Sequence, residues 1–178
     1  MEDENEIHTV KNNKAFLFFG RFLAILLIFV LTMGIGGIFL GRQNSLGTFI
    51  FDYGDFSIKL PIIYPLAVIL IAISMCLVLI KIINIWIEIL KSFQKDKYFC
   101  LENLEGLKRS AFLLSGFTIL QLLLNLIFNY LNVENVSELF NFSIKKYLTN
   151  ITLLTFNYLA IIVFKKGIDI QKENEEII

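Results

Sequence analysis

Four long apolar runs without a single charge constrain this chain more than any other feature. They cover 17 to 20 residues each and comprise Phe22–Leu40, Ile62–Ile80, Ala111–Tyr130 and Leu148–Phe164. Because a helix rises about 1.5 Å per residue, about 20 residues cross a hydrocarbon core of about 30 Å. Each run is too long for a core strand, and four buried helices of a soluble protein would not all lack a charged face. We therefore expect four transmembrane helices.

The composition excludes other classes of protein. Of 178 residues, 56% are hydrophobic and 18% are charged, with 16 basic and 16 acidic side chains. Disorder requires low hydrophobicity and high net charge, and nucleic-acid binding requires a basic patch. We expect an integral membrane protein without direct nucleic-acid binding. The acidic leader Met1–Lys14 and the length of the first run also argue against a cleaved signal peptide.

The predicted fold class is an all-α membrane protein, a four-transmembrane-helix bundle with a long cytoplasmic helical hairpin and a short extracellular β-hairpin. Residues 1–178 form a single domain, with spans at about 16–40, 62–80 extended to about 94, 111–131, and 147–164 extended to about 174. The extension of the second span rests on polar residues that recur at helical spacing beyond Ile80, namely Lys81, Asn84, Glu88, Lys91 and Lys95. The chain should then turn around Gln94–Cys100.

Two connections carry weaker structural signals. β-forming residues flank an Asp-Tyr-Gly-Asp turn within Thr48–Leu60, which predicts the β-hairpin. Glu134–Phe140 suits one short interfacial helix. Lys and Arg are distributed unevenly among the connections: the N-terminal segment, the central loop and the tail hold 12, and the other two loops hold 4. Because cytoplasmic segments are enriched in these residues, both termini should be cytoplasmic.

Chemistry-bearing residues are scarce. His8 is the only histidine, Cys76 and Cys100 lie in different segments, and no nucleotide-binding, metalloprotease or hydrolase motif is present. We expect no catalytic residues, no metal, no cofactor and no enzymatic activity.

Polar residues form stripes on the last two spans. They are Ser115, Thr118, Gln121, Asn125 and Asn129 on the third span, and Asn150 and Asn157 on the fourth. Amides in hydrocarbon need partners, so the stripes should face each other as interhelical hydrogen bonds or as the lining of a polar cavity. On antiparallel helices, residues at equal depth have a constant sum of positions. This rule predicts that Gln121 lies near Asn157 and that Asn129 lies near Asn150.

Small residues on the first span favour close helix packing. Gly34, Gly37 and Gly41 lie at spacings of three and four, including one GxxxG. Such a motif serves packing within the bundle or between two copies of the chain, so a homo-oligomer stays open.

Two segments carry a family resemblance. Lys97–Lys108 (KYFCLENLEGLK) resembles a K-a-F-S-x-x-N-x-x-x-L-K segment, and Gly167–Glu175 (GIDIQKENE) resembles an x-x-x-I-x-x-E-N-D-L-T-I ending. Both belong to a bacterial family of small four-span membrane proteins, domain of unknown function 2975. Span order and the Phe56–Pro61 entry to the second span also fit. The chain departs from the family pattern at Cys100, where Ser is expected as a helix cap, and at its last three residues.

The resemblance implies a multi-pass protein of the bacterial cell membrane, often encoded beside a small helix-turn-helix regulator, and it supplies no activity. The candidate cytoplasmic motif comprises Phe99, Asn103, Leu107, Glu173 and Asn174. We expect a non-enzymatic regulatory or interaction protein that docks a cytoplasmic partner, which would be such a regulator or another membrane protein. The alternative is a small transporter, channel or immunity-type protein that uses the polar stripe. A third interpretation is that the motif residues only cap and pack helix ends.

Overall fold

The computed structural model describes residues 2–40, 43–44, 48–53, 56–131 and 144–176. The described residues contain four long helices and three short strands. The helices are α1 (Glu2–Leu40), α2 (Ile63–Phe93), α3 (Leu101–Tyr130) and α4 (Ile144–Glu176), and the strands are β1 (Gln43–Asn44), β2 (Thr48–Tyr53) and β3 (Phe56–Pro61). Each helix contains a stretch that is long and apolar enough to cross a membrane. The prediction of four helices that could span a membrane is thereby confirmed.

The helices alternate in direction along the bundle. α1 packs on α2, α2 on α3 and α3 on α4. A Cβ at Gly20 would lie 3.8 Å from Ile83, and one at Gly34 would lie 3.7 Å from Ile69. These two contacts show that α1 and α2 are antiparallel. We call the end of the bundle that carries residues 94–100 the turn end, and the opposite end, which carries the strands, the strand end.

A Schellman motif closes α2 at the turn end. The N–H of Lys97 donates to the carbonyl of Ser92 at 3.1 Å, and the N–H of Asp96 donates to that of Phe93 at 3.1 Å. These are the two bonds of the motif, which requires a left-handed residue between them. Asp96 fills that position with φ 56°, a conformation that Asp tolerates better than most residues. The sharp reversal lets α3 begin at Leu101 and pack directly along α2.

Buried side chains concentrate on the inner two helices. The buried apolar residues are Ala72, Met75, Cys76, Ile87 and Ile89 on α2, Leu104, Leu107, Phe117 and Leu124 on α3, and Ile168 on α4. The apolar stretch of α1 has no buried residue, and it exposes large side chains such as Phe16, Phe29 and Met33. An apolar surface this extensive is far larger than a soluble monomer exposes, whereas lipid would cover it without cost.

The strands form one small antiparallel sheet in the order β1-β2-β3. β2 and β3 pair from Thr48 opposite Pro61 to Tyr53 opposite Phe56. β1 adds a third strand, with Gln43 opposite Phe49, which the sequence did not predict. Residues 54 and 55 of the predicted hairpin turn, and the predicted interfacial helix at 134–140, lie outside the described residues.

The glycines of α1 divide between two environments. A Cβ at Gly34 would meet Ile69 of α2 at an ordinary van der Waals distance, whereas a Cβ at Gly37 would meet no described residue within 4 Å. Gly41 lies outside the described residues. Packing against the described residues therefore does not require a glycine at position 37.

Candidate functional site

The polar residues of α3 and α4 meet in a buried contact between the helices. The Asn150 amide nitrogen donates to the Gln121 side-chain oxygen at 2.6 Å and lies 3.3 Å from the Thr118 hydroxyl. Gln121 is 5% exposed and Asn150 is 8% exposed. In a low-dielectric interior, the partner satisfies an amide whose burial would otherwise be costly.

The register of this contact differs from the one predicted from the sequence. The positions of Gln121 and Asn150 sum to 271, whereas the predicted pair Gln121 and Asn157 sums to 278. Seven positions correspond to two helical turns, or about 10 Å of sliding. The prediction paired polar residues whose positions gave nearly equal sums, Gln121 with Asn157 and Asn129 with Asn150, and both pairings are wrong because Asn150 binds Gln121. The observed partners instead set the offset by hydrogen bonding.

Asn157 belongs to a second polar contact nearer the turn end. Its amide nitrogen donates to the Ser110 hydroxyl at 3.1 Å, and the indole N–H of Trp86 on α2 donates to the same hydroxyl at 3.2 Å. This contact ties three helices together at one serine. The Asn157 side chain is 6% exposed, and its buried oxygen has no hydrogen-bond partner within the part of the chain that the structure describes.

Ser110 and Trp86 were missed by the sequence reasoning. Ser110 lies four residues before Leu114 and eight before Thr118, and it is therefore on the same face of α3 as these residues. The polar stripe could have been extended to Ser110, which directly precedes the apolar run. Trp86 gave no such signal, because an indole on an amphipathic helix is usually apolar surface. Of the remaining stripe residues, Asn125 is half-buried and Asn129 is exposed near the strand end.

Asn103 and Leu107 of the candidate motif are internal to the fold. Asn103 is 3% exposed, and its amide nitrogen donates to the carbonyls of Lys97 and Tyr98 at 2.9 Å each. Leu107 is fully buried four residues further along α3. The side chain of Cys100, which occupies the N-cap of α3, makes no capping hydrogen bond. Asn103 therefore holds the α2–α3 turn from the inside by donating to its carbonyls. This role differs from that of an N-cap serine, which accepts from backbone N–H groups.

Phe99 links the turn to α4. Its ring meets Phe164 edge-on, with 5.5 Å between centroids, and Phe164 in turn stacks on Phe93 at 6.0 Å. A Cβ at Gly167 would overlap the Phe99 ring, so the ring can pack here only because position 167 has no side chain. The α2–α3 turn therefore packs on α4 one turn before its charged end.

An open groove of about 480 Å³ lies beside this contact. Its lining residues come from the turn and from α4, and they are Phe99, Val163, Lys166, Gly167, Ile170, Gln171 and Asn174. Glu173 is exposed next to Asn174 on the same helix. Of the five candidate motif residues, Phe99 and Asn174 therefore share one surface, while Asn103 and Leu107 are buried beneath it. We call Tyr98, Phe99, Leu101 and the α4 residues of this groove the turn–tail surface.

Among the described residues, no group of three His, Cys, Asp or Glu side chains is placed to hold a metal ion. No protein-family model, curated protein or solved structure matches this chain.

Proposed function

We propose that this chain is a non-enzymatic regulatory or interaction protein of the bacterial plasma membrane, and that its turn–tail surface docks a cytoplasmic partner. The observation that supports this proposal is the contact between Phe99 and Gly167, which joins segments almost 70 positions apart into one surface. The resemblance to domain of unknown function 2975 rests on these same two segments. It suggests a small helix-turn-helix regulator as the class of partner.

The composition of the turn–tail surface suits protein docking better than lipid contact. Tyr98, Phe99, Leu101 and Ile170 are exposed apolar side chains. Exposed charged residues of both signs flank them in the sequence, namely Lys97, Glu102, Asp169 and Lys172. Aromatic residues rimmed by polar groups are typical of interaction surfaces. A segment bound for the hydrocarbon would instead lack charges altogether.

The proposed orientation places the turn end in the cytoplasm. The connections at that end carry 12 of the 16 Lys and Arg residues, and such an excess is typical of cytoplasmic segments. The sheet would then be extracellular. A reporter that is active only in the cytoplasm should function when fused after Lys172. The same reporter fused between Gln43 and Thr48 should not, and the reverse pattern would contradict the orientation.

Docking is tested by photocrosslinking in intact cell membranes. Benzoylphenylalanine replaces Tyr98 or Ile170 at the turn–tail surface, and Phe156, an exposed ring in the apolar part of α4, serves as the matched control. We expect a protein adduct of one defined mass from the first two positions and none from the third. Removal of residues 169–178 should abolish the Tyr98 adduct.

The outcomes of this experiment separate the candidate partners. An adduct identified as a helix-turn-helix protein supports the proposal in full, and one with another membrane protein supports docking but changes the partner. An adduct of twice the chain mass indicates a homo-oligomer. Equal adducts from Tyr98 and Phe156, or no adduct from either surface position, would contradict docking.

A small transporter, channel or immunity-type protein is the second candidate, and one observation favours it. Among the described residues the buried Asn157 oxygen has no hydrogen-bond donor, so it could accept a hydrogen bond from a polar solute or from water. Liposome flux of a solute should fall on Asn157→Leu and Gln121→Leu, whereas Leu122→Ala, on the exposed face of α3, should leave it unchanged. If none of the three substitutions changes the solute flux, the transporter or channel function is excluded.

A further inference from the structure

A second groove lies between α2 and α3, away from the turn–tail surface. It has a volume of about 520 Å³, and its lining residues are Lys81, Asn84, Ile85, Glu88, Lys108, Arg109, Phe112 and Leu113. Three of these side chains are cationic and one is anionic. The cations come from two different helices, so the helix pairing creates this cluster and neither segment carries it alone.

The cations of this groove lie where the hydrocarbon ends. Lys81 directly follows the apolar run of α2, and Arg109 comes two residues before the apolar run of α3. Contacts between Tyr64 and Tyr130 and between Trp86 and Ser110 show that these helices are antiparallel, with positions that sum to about 195. Lys81 is therefore level with Leu113, about one turn deeper than Arg109. The groove spans the depth of the lipid headgroups.

The cations of the groove are available to an external anion. Lys81, Lys108 and Arg109 are all exposed. Arg109 has an ion pair with Glu105, but the distance is 3.5 Å and the two side chains are 74% and 65% exposed. Such a pair contributes little and yields to a better-matched anion. A guanidinium binds phosphate oxygens in a bidentate manner, and the Asn84 amide adds a neutral donor.

At its deep end the groove has two apolar side chains beside Lys81. Phe112 is 79% exposed, and Leu113 lies beside it on α3. A ligand that places an anionic group on the three cations would lay any attached chain along these side chains. A free phosphate ion gains nothing from these apolar side chains, whereas a phospholipid contacts both the cations and the apolar side chains. Basic grooves between transmembrane helices bind lipid headgroups in this manner.

We propose that the α2–α3 groove binds the phosphodiester headgroup of an anionic phospholipid. Lys81, Lys108 and Arg109 contact the phosphate, and the acyl chains run along Phe112 and Leu113. Glu88 lies on the turn-end side of the groove and disfavours ligands of higher negative charge that extend past the phosphate. The site is independent of docking at the turn–tail surface.

The test uses the full chain in vesicles and the fluorescence of Trp86. This residue is the only tryptophan and directly follows the groove residue Ile85. Phosphatidylglycerol and phosphatidylcholine with the same brominated chains serve as quenchers. We expect phosphatidylglycerol to bind on the order of tenfold more tightly at the site that quenches Trp86, given the contribution of each basic residue near the membrane surface.

Two triple variants separate this groove from a general charge effect. Lys81→Gln/Lys108→Gln/Arg109→Gln should bring the two lipids to equal quenching. Lys95→Gln/Lys97→Gln/Lys172→Gln removes the same charge from exposed positions outside the groove and should retain the preference. Should the first variant not fold, each of its three single substitutions should lower the preference by a part of the total.

The remaining outcomes would overturn the proposal. Equal quenching by the two lipids with the natural chain, or the same loss in both triple variants, would show that the groove does not select anionic lipid. Displacement of phosphatidylglycerol by millimolar inorganic phosphate would show a site for free phosphate instead. If the preference for phosphatidylglycerol disappears as the protein concentration rises, a second copy of the chain fills the groove.

Discussion

The hydrogen bond between Gln121 and Asn150 permits a direct measurement of the α3–α4 register. The perturbation is a double-mutant cycle made of Gln121→Leu, Asn150→Leu and the two together. Leucine keeps a similar volume and removes the amide. In the first variant, the Asn150 nitrogen retains only the longer contact of 3.3 Å with Thr118. In the second, the Gln121 oxygen loses the donor at 2.6 Å.

The expected energies follow from the burial of both side chains. Each single substitution leaves a buried amide without its partner, at a cost of about 1–3 kcal/mol in the free energy of unfolding. The double variant leaves no such group, so it should be less destabilised than the sum of the single variants. Interhelical bonds of this kind in membranes have coupling energies of about 0.6–1.7 kcal/mol, and we expect the Gln121–Asn150 coupling within that range.

The assay is equilibrium unfolding in mixed micelles, monitored by Trp86 fluorescence and circular dichroism. A parallel cycle on Gln121 and Asn157, the pair predicted from the position sums of the polar stripes, is the matched control. Asn157 lies two turns along α4 from Asn150, so this coupling should stay below about 0.5 kcal/mol. A larger coupling for Gln121–Asn157 than for Gln121–Asn150 would refute the register described above.

Three further predictions concern the turn end. Asp96→Gly should raise the free energy of unfolding by up to about 1 kcal/mol, because glycine adopts the left-handed conformation of the Schellman motif without strain. A lower stability of this variant in thermal unfolding would contradict the prediction. Asn103→Leu should cost about 1–3 kcal/mol by removing the buried amide that donates to the carbonyls of Lys97 and Tyr98, and trypsin should then cleave the turn faster. Gly167→Ala should leave the free energy of unfolding nearly unchanged, because the loss of the Phe99 contact offsets the better helix propensity of alanine. In a Phe99→Ala background, the same substitution should stabilise the protein by about 1 kcal/mol. Equal effects in both backgrounds would show that the ring does not need the glycine.

The turn between α2 and α3 shows how far local sequence reasoning extends. The polar periodicity beyond Ile80 predicted that α2 continues to about residue 94, and the helix ends at Phe93. Helical periodicity is a property of neighbouring residues, so the sequence contains it. The role of Asn103 was not predictable in the same way, because its two acceptors are backbone carbonyls that converge only once the turn has formed.

The candidate motif illustrates the same division. Phe99 and Asn174 were selected for their resemblance to family segments, with no indication that they share a groove. Their proximity depends on Gly167, which makes room for the Phe99 ring. The sequence does not indicate this role, because the two residues meet only in the folded chain. The cation cluster of Lys81, Lys108 and Arg109 likewise arises from two helices that meet at one depth.

The sequence alone determined that the chain has four helices long and apolar enough to cross a membrane and where the chain turns between α2 and α3. The physical reason is that transfer of apolar residues into lipid depends on each segment by itself. The tertiary structure alone decided which residues of α3 and α4 are partners. Sliding one apolar helix along another changes the hydrophobic mismatch by only fractions of a kcal/mol per ångström, so hydropathy leaves their offset undetermined. The buried partners Gln121 with Asn150 and Ser110 with Asn157 settle that offset, because an amide without a partner in a low-dielectric interior costs more than the slide.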